Sequence, residues 1–308
     1  MPGLRMRKNV QKCVLNARIG VYMRQKRQRA GFYFILPWLI GLCLFTALPM
    51  VAAVYISMTD WDIVGNAEFV GLQNYVTLFR TEEFIKSLWV TVRYAVIAVP
   101  LIIATSLTIA VLVSRNHKGT GIFRVIYYMP AIVSGVAVAI VFKWILDPSY
   151  GLLNGILAFF HIQGPDWLYD PNWVLPSYLI MAVWGAGGGL LTYLAALKDI
   201  PEDLYGAAMI DGANTFQKVR YITVPLMTPI IFYNLVLGII GAFRKFTDAY
   251  VLGGAGKEGN FYMVYLYEEA FGHYRMGYAT ALAWVLFVII LLLTFVVNWT
   301  KKYWVYSE

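Results

Sequence analysis

Long apolar runs alternate along the chain with shorter polar stretches. Six of these runs reach the length of about 20 residues that an α-helix needs to cross the hydrocarbon core of a bilayer. We therefore predict transmembrane helices at 32–57, 88–113, 123–146, 173–197, 223–243 and 276–299. This pattern is typical of an all-α polytopic membrane protein with six transmembrane helices.

Composition agrees with lipid as the solvent of this chain. The hydrophobic class makes up 60% of the residues and charged residues only 14%, whereas charged residues average about 25% in soluble domains. A soluble core could not cover this much apolar surface. Cys13 and Cys43 provide neither a disulfide framework nor the spacing of metal ligands.

The distribution of Lys and Arg predicts the orientation of the spans. An even number of spans places both termini on one side of the membrane. Seventeen basic residues lie on that side, nine of them before residue 31, and six lie in the opposite loops. By the positive-inside rule, both termini and the loop 198–222 are cytoplasmic. We interpret the basic N-terminal segment as a topology signal rather than a nucleic-acid-binding arm, and we expect no nucleic-acid partner.

The carboxylates avoid the predicted spans, since all seventeen Asp and Glu residues fall in the loops. Proton- and sodium-coupled carriers usually keep a carboxylate within the membrane. This distribution disfavours an ion-coupled carrier, although a sodium site built from backbone carbonyls stays open. Arg93 and Lys143 lie toward the outer ends of their spans, where each can reach the interface or belong to a solute path.

The chain carries no recognisable nucleotide-binding or hydrolytic motif. Gly253–Gly259, "GGAGKEG", resembles a phosphate-binding loop, but Val251 stands where the pattern needs glycine and Glu258 where it needs Ser or Thr. The histidines lie in separate loops: His117, His161 and His273. We expect no metal site, no cofactor bound by this chain and no enzymatic activity of its own.

The polar stretch Asp199–Pro225, "DIPEDLYGAAMIDGANTFQKVRYITVP", contains two short helical patterns. Pro201 suits the first position of a helix, and acidic residues follow it where the helix dipole favours them. Gly212 is the residue type expected just past a helix end, with a positive φ. Asn214 and Gln217 have the spacing of a capping box. We predict a rigid helix–turn–helix, which fits a docking element and a solvated connecting loop equally well.

The same stretch resembles the EAA loop of the permease subunits of binding-protein-dependent ABC importers. That pattern is Glu-Ala-Ala, then Gly, then Ile-x-Leu-Pro at fixed spacing. The matching positions here are Ala207, Ala208, Gly212, Ile222 and Pro225. Two positions differ, because Gly206 replaces the glutamate and Val224 replaces the leucine.

The resemblance extends over nearly the whole chain and is closest to the carbohydrate (MalF-like) permeases. It includes the segments "FILPWLIGLCLFTALPMVAAVYISMTDWD", "FVGLQNYVTLF", "FRVIYYMPAIVSGVAVAIVFKWIL", "YGLLNGIL" and "AFRKFTDAYVL". It implies the type I ABC importer permease (MetI-like) fold. It also implies three kinds of partner: a second homologous permease subunit, two cytoplasmic ATPase subunits and an extracytoplasmic solute-binding protein.

By this resemblance, the chain moves a sugar or oligosaccharide into the cell by alternating access, and ATP with Mg is bound by the partner ATPase. The implied ATPase-coupling residues are Asp203, Gly206, Ala207, Ala208, Asp211, Gly212, Ile222 and Pro225. In the family, the motif's glutamate pairs with a basic residue of the ATPase, so Gly206 leaves that contact open. Glu202 or Asp203 could supply the missing acid.

The fourth and fifth spans flank this loop and line the solute path in the family. Trp184, Tyr193, Asn234 and Phe243 are the side chains that we expect there. Packing of the rings and hydrogen bonding of the amide between helices are open alternatives. Gly185 and the run 187–189 can give room for solute or allow close helix packing.

Three domains follow: a basic cytoplasmic segment at 1–31, a six-helix permease domain at 32–300 and a cytoplasmic tail at 301–308. We expect a multi-pass protein of a prokaryotic plasma or inner membrane. A permease for another solute, such as glycerol phosphate, stays an alternative, and an ion-coupled secondary carrier is a further one.

Overall fold

The computed structural model of the chain describes residues 34–63, 65–114, 119–253 and 260–306. The basic segment predicted at 1–31, His117 and nearly all of the Gly253–Gly259 loop lie outside these residues. Helix α1 (Phe34–Ser57) falls almost wholly in a compact unit that ends at Ile56. A second unit begins at Ser57 and contains the other described elements.

The second unit is helical apart from one small antiparallel ribbon that pairs Thr59 with Phe69. Its elements are β1 (Thr59–Asp60), β2 (Glu68–Phe69), α2 (Gln73–Arg80), α3 (Glu82–Ser114), α4 (Thr120–Ile132), α5 (Gly135–Ile145), α6 (Leu152–Phe159), α7 (Pro171–Trp184), α8 (Leu190–Lys198), α9 (Glu202–Ile210), α10 (Thr215–Lys218), α11 (Val224–Leu226), α12 (Thr228–Phe243), α13 (Thr247–Leu252), α14 (Tyr262–Tyr267) and α15 (Met276–Trp304). A tight 3₁₀ turn, Gly185–Gly189, joins α7 to α8.

Five helical segments of the described chain are long and apolar enough to cross a membrane. They are Phe34–Ser57, Glu82–Ser114, Pro171–Lys198, Thr228–Leu252 and Met276–Trp304. They confirm five of the predicted spans with shifted ends. The largest shift is in the fifth span, which was predicted at 223–243. The observed segment starts later because the helix is interrupted at Met227, and it ends later because it includes α13.

The third predicted span, 123–146, is not one straight helix. Helices α4 and α5 meet at an angle of 100°, and they make a sixth crossing only if the bent pair counts as one span. The chain turns because Val133 and Ser134 adopt extended backbone conformations between the two helices. Pro130, in the last turn of α4, also lacks the N–H that would continue the helical ladder.

Buried aromatic side chains form the centre of the second unit. The rings of Tyr94, Tyr178 and Phe261 meet edge to face, with centroids of Phe261 4.9 Å from Tyr178 and 5.3 Å from Tyr94. The amide of Tyr262 donates to the hydroxyl of Thr91 at 2.9 Å. This core holds α3, α7, α14 and α15 together. A smaller apolar cluster includes Ala110, Leu190, Tyr193, Leu194, Ile200 and Met227, beside the polar stretch Asp199–Pro225.

Candidate functional site

The stretch Asp199–Pro225 folds as two short helices with a fixed turn between them. Helix α9 ends at Ile210, and Gly212 follows with φ +77°. The amide of Gly212 donates to the carbonyl of Met209 at 3.1 Å, and that of Ala213 to Ala208 at 2.9 Å. This pair of hydrogen bonds is a Schellman motif, which requires the left-handed backbone that glycine adopts without strain. The predicted positive φ is confirmed. Pro201 lies one residue earlier than predicted, just before the first helical residue.

The second helix, α10, starts with the predicted capping box. The amide of Gln217 donates to the Asn214 side chain at 2.9 Å, and the amide of Asn214 donates to the Gln217 side chain at 2.8 Å. Both bonds satisfy N–H groups that the first helical turn leaves unpaired. The turn and the cap together leave few free torsions between α9 and α10.

The segment that leads from α10 to α12 is hydrogen-bonded to α9. The hydroxyl groups of Tyr205 and Thr223 lie 2.9 Å apart in a hydrogen bond, and Thr223 is buried. Ile222 packs against the small apolar cluster. Pro225 lies in the short helix α11, before the long helix of the fifth span begins at Thr228. The predicted coupling residues therefore divide into a half-buried base, Ile222 and Pro225, and a tip that includes the exposed residues Ala207 and Gly212.

The exposed tip carries apolar side chains, and Ile210 is 89% and Phe216 71% exposed. Met209 and Tyr221 are exposed as well. The small residues of α9 were predicted as coupling residues from the sequence, whereas Met209, Phe216 and Tyr221 were not. The signal was available, because large apolar residues are unexpected on a short polar loop unless something covers them.

Gly206 lies inside α9 with open space around it. No heavy atom comes within 4 Å of a Cβ placed there. A side chain can therefore begin at this position without a clash at its Cβ atom. Asp203 and Asp211 are exposed on the same loop.

Two of the four side chains predicted for the solute path lie together. Tyr193 and Asn234 line a cavity of about 230 Å³ between α3, the α7–α8 segment and α12. The Tyr193 hydroxyl is buried and has no hydrogen-bond partner among the described residues. The Asn234 amide donates to the carbonyl of Ile230 on its own helix at 2.9 Å rather than to a neighbouring helix.

The other two predicted side chains do not reach this cavity. Trp184 is 44% exposed and packs edge-on against Phe142, with centroids 5.4 Å apart. Phe243 is buried in the main aromatic core. Both were chosen for their position on the fourth and fifth spans, but helix rotation directs them elsewhere.

The glycine run between α7 and α8 packs closely against another helix at one residue and borders a cavity at two others. A Cβ on Gly187 would lie 1.6 Å from the carbonyl oxygen of Tyr127, so the backbones of the turn and of α4 are in direct contact there. Gly185 and Gly189 instead line the cavity. Close packing and open space alternate along the same short turn.

The two charged side chains predicted near the outer ends of spans have different surroundings. Lys143 donates to the carbonyl of Val251 at 3.2 Å. Arg93 borders a small cavity of about 60 Å³ that Trp89 and Tyr178 also line. Neither residue lies at the cavity that contains Tyr193.

An ion pair that sequence reasoning missed lies between α12 and α13. Lys245 bonds to Asp248, and their side chains are only 10% and 25% exposed. The ammonium also lies over the rings of Tyr94 at 4.8 Å and Tyr178 at 5.2 Å. Cation–π contacts of this kind stabilise a desolvated ammonium.

The expectation that every carboxylate lies between spans is wrong at two segments. Asp248 falls within Thr228–Leu252, and Glu82 and Glu83 form the first turn of Glu82–Ser114. Asp248 is tolerated because Lys245 neutralises it. The described residues contain no group of three or more His, Cys, Asp or Glu side chains arranged to hold a metal ion.

Comparison with known proteins gives one consistent family. Residues 102–304 match the model of the binding-protein-dependent transport system inner membrane component. A probable ABC transporter permease protein of Bacillus subtilis, YesP, is 40% identical over 92% of this chain and 94% of its own length. The trehalose/maltose transport system permease protein MalF of Thermococcus litoralis is 33% identical over 91% of this chain and 95% of its own length.

A solved structure shows a likeness of fold at similar coverage. A chain from a bacterial ABC transporter involved in the import of the acidic polysaccharide alginate superimposes with a TM-score of 0.79 at 26% identity. The match covers 92% of this chain and 98% of that one.

Proposed function

Because the chain belongs to the family of binding-protein-dependent transport system inner membrane components, we propose that it conducts a sugar or oligosaccharide into the cell as one permease subunit of an ATP-driven importer. Its family and relatives identify it as a multi-pass membrane component of an ABC transporter. The relatives named for sugars support the solute class, since they include permeases for trehalose and maltose and for arabino-oligosaccharides.

The observation that carries the coupling proposal is the construction of the loop Asp199–Pro225. Its turn and cap are closed by short hydrogen bonds, and its base is tied to the apolar cluster through Tyr205 and Thr223. Its tip presents Ile210 and Phe216 to the outside of the subunit. A stiff element with an apolar tip suits a cleft in an ATPase, because it passes the movement of that cleft to the spans as a rigid body.

In this proposal, the energy enters from other chains. Two cytoplasmic ATPase subunits bind ATP with Mg and close on it, and a second homologous permease completes the pathway. An extracytoplasmic solute-binding protein delivers the sugar. Both termini and the loop Asp199–Pro225 face the cytoplasm, as the excess of Lys and Arg on that side supports.

The cavity beside Tyr193 and Asn234 is the proposed segment of the solute path. It combines apolar walls with an amide and a hydroxyl that no other described residue pairs, the mixture that small-molecule sites use to orient a ligand. Its volume of about 230 Å³ is below the roughly 300–1,000 Å³ of ligand pockets. The helices around it must therefore separate before a sugar enters, as alternating access requires.

A bulky substitution at the loop tests the coupling role directly. Ala207 is exposed on α9, and Ala207→Trp adds a large ring to the face that would enter the cleft. We expect loss of co-purification with the ATPase and loss of solute-stimulated ATP hydrolysis in the reconstituted complex. Ala67→Trp is the matched control, because Ala67 is an exposed alanine far along the chain from this loop.

Normal assembly and hydrolysis in Ala207→Trp would show that this face does not dock the ATPase. Equal loss in both variants would mean that an exposed tryptophan alone harms the subunit.

The orientation is tested separately with Thr215→Cys. An impermeant thiol reagent added outside intact cells should not label this position, and ready labelling would reverse the topology.

A further inference from the structure

A second cavity, of about 430 Å³, lies beside the base of the loop Asp199–Pro225. The last turns of α3 and α8, the start of α4 and the helices α9 and α10 surround it. The last turns of α3 and α8 and the start of α4 are ends of predicted spans, so the cavity lies where the apolar bundle meets the predicted membrane–water boundary. Its volume is within the range of small-molecule sites.

Cationic side chains outnumber carboxylates in the lining of this cavity. Arg124, Lys198 and Lys218 line it, with Glu202 as the acid among the described lining residues. None of the three cations forms an ion pair with a described carboxylate. Their charge is therefore available to an anion that enters.

Arg124 has an unused donor in a fixed position. One terminal nitrogen, Nη2, donates to the carbonyl of Val113 at 3.0 Å, which holds the guanidinium at the end of α3. The Nε atom is buried and has no partner in the described part of the chain. A buried unpaired donor costs free energy, and a phosphate oxygen is the acceptor that the guanidinium fork matches best.

One wall of the cavity is apolar, as a site for a lipid requires. Val111, Leu194 and Leu197 supply an apolar side next to the cations. A free anion would gain nothing from contact with this apolar surface, whereas the glycerol and upper acyl region of a phospholipid would pack on it. Basic pockets between helices on the cytoplasmic side are known to bind anionic headgroups.

We propose that this cavity binds the phosphate of an anionic phospholipid headgroup, with the guanidinium group of Arg124 and the ammonium groups of Lys198 and Lys218 as its donors. The bound headgroup bridges the start of α4 and the ends of α8 and α10, and so steadies the base of the loop Asp199–Pro225. The assignment to the cytoplasmic leaflet rests on the proposed function. The phosphate site itself rests only on the cavity.

The test is a lipid titration of the full chain in detergent, followed by native mass spectrometry. Dioctanoyl phosphatidylglycerol should bind to one saturable site. Lys198→Gln and Lys218→Gln each remove one positive charge from the lining, and each should weaken that binding roughly fivefold. Arg220→Gln is the matched control and should bind as the unchanged chain does, because Arg220 is exposed on the same loop but does not line the cavity.

Two further arms identify the source of the phosphate. Dioctanoyl phosphatidylcholine, with the same phosphate but no net charge, should bind more weakly. Inorganic phosphate should compete poorly with the lipid, and competition at equal concentration would assign a free anion instead and overturn the lipid proposal. Equal weakening in Arg220→Gln and Lys198→Gln would overturn the site. No ATPase or solute is present in this titration, so failure of the transport proposal would not alter its result.

Discussion

The loop Asp199–Pro225 and the Lys245–Asp248 pair both place charge beside an apolar bundle, but their structures have different origins. The loop is shaped by hydrogen bonds between residues close in sequence, at 2.8–2.9 Å in its cap. The Lys245 ammonium is surrounded by the rings of Tyr94, Tyr178 and Phe261, which come from three distant parts of the chain. One structure is encoded locally and the other only by the finished fold.

The difference extends to what each region exposes. The loop turns apolar side chains outward, with Phe216 71% exposed, whereas the ion pair is withdrawn behind aromatic rings. The exposed apolar tip of the loop can bind a partner, whereas the covered Lys245–Asp248 pair contributes to the stability of the subunit. Substitutions in the two regions should therefore affect different measurements.

The largest expected effect is on stability, at the ion pair. Lys245→Met would leave the partly buried charge of Asp248 without its counter-ion, which costs about 3 kcal/mol, and should lower the unfolding temperature in detergent. The control is Lys86→Met, because the Lys86–Glu82 pair is exposed on α3 and such pairs contribute about 0.5 kcal/mol. Equal destabilisation by the two substitutions would show that the Lys245–Asp248 pair contributes no more to stability than an exposed ion pair.

The next effect is expected at the glycine turn between α7 and α8. Gly187→Ala would push a methyl group into the Tyr127 carbonyl, and overpacking of this kind costs about 2 kcal/mol. Gly185→Ala is matched to it, since a Cβ on Gly185 meets nothing within 4 Å. Thermal unfolding should separate the two variants. If both unfold alike, α4 does not pack against this turn as described.

A smaller, local effect is expected at the turn of the loop. Gly212→Val strains the left-handed backbone by about 1–2 kcal/mol, which corresponds to roughly tenfold faster hydrogen exchange at the amide of Ala213. Gly212→Asn should exchange nearly as the original does, because asparagine tolerates this conformation. Global unfolding temperature should hardly move. A large global loss in Gly212→Val would contradict the local origin of the loop's structure.

The smallest expected effect on the subunit is at Gly206. Gly206→Glu should stabilise α9 by about 0.5 kcal/mol and, by restoring the acid of the family's pattern, strengthen co-purification with the ATPase. Gly206→Gln supplies the same gain in helix propensity without the charge. Equal co-purification of the two variants would show that the acid adds no contact in this protein.

Prediction from sequence succeeded where structure depends on near neighbours. The capping box at Asn214 and the positive φ at Gly212 were predicted because their partners lie within a few residues. The break at Val133 and Ser134 was missed, since hydropathy stays high across it. Trp184 and Phe243 were placed on the solute path because a sequence gives the position of a residue along a helix but not the face it shares with its neighbours.

The Lys245–Asp248 pair was missed for a related reason. Spacing along the chain shows an acid and a base near each other, but it does not show the three rings that surround them. The Tyr193 hydroxyl, which has no hydrogen-bond partner among the described residues, is likewise a property of the packed helices. Sequence identified the residue, and only the fold shows that it lines a cavity with Asn234.

Photocrosslinking from the loop is the most direct test of the claim that it docks the ATPase. Benzoylphenylalanine at Phe216 changes little but the reactive group, and Phe159, which is 80% exposed on α6, is the matched control at a distant position in the chain. In the assembled transporter, the Phe216 position should crosslink to the ATP-hydrolysing subunit and the Phe159 position should not. Crosslinks from Phe216 to lipid alone, or ATPase adducts from Phe159 instead, would contradict the account.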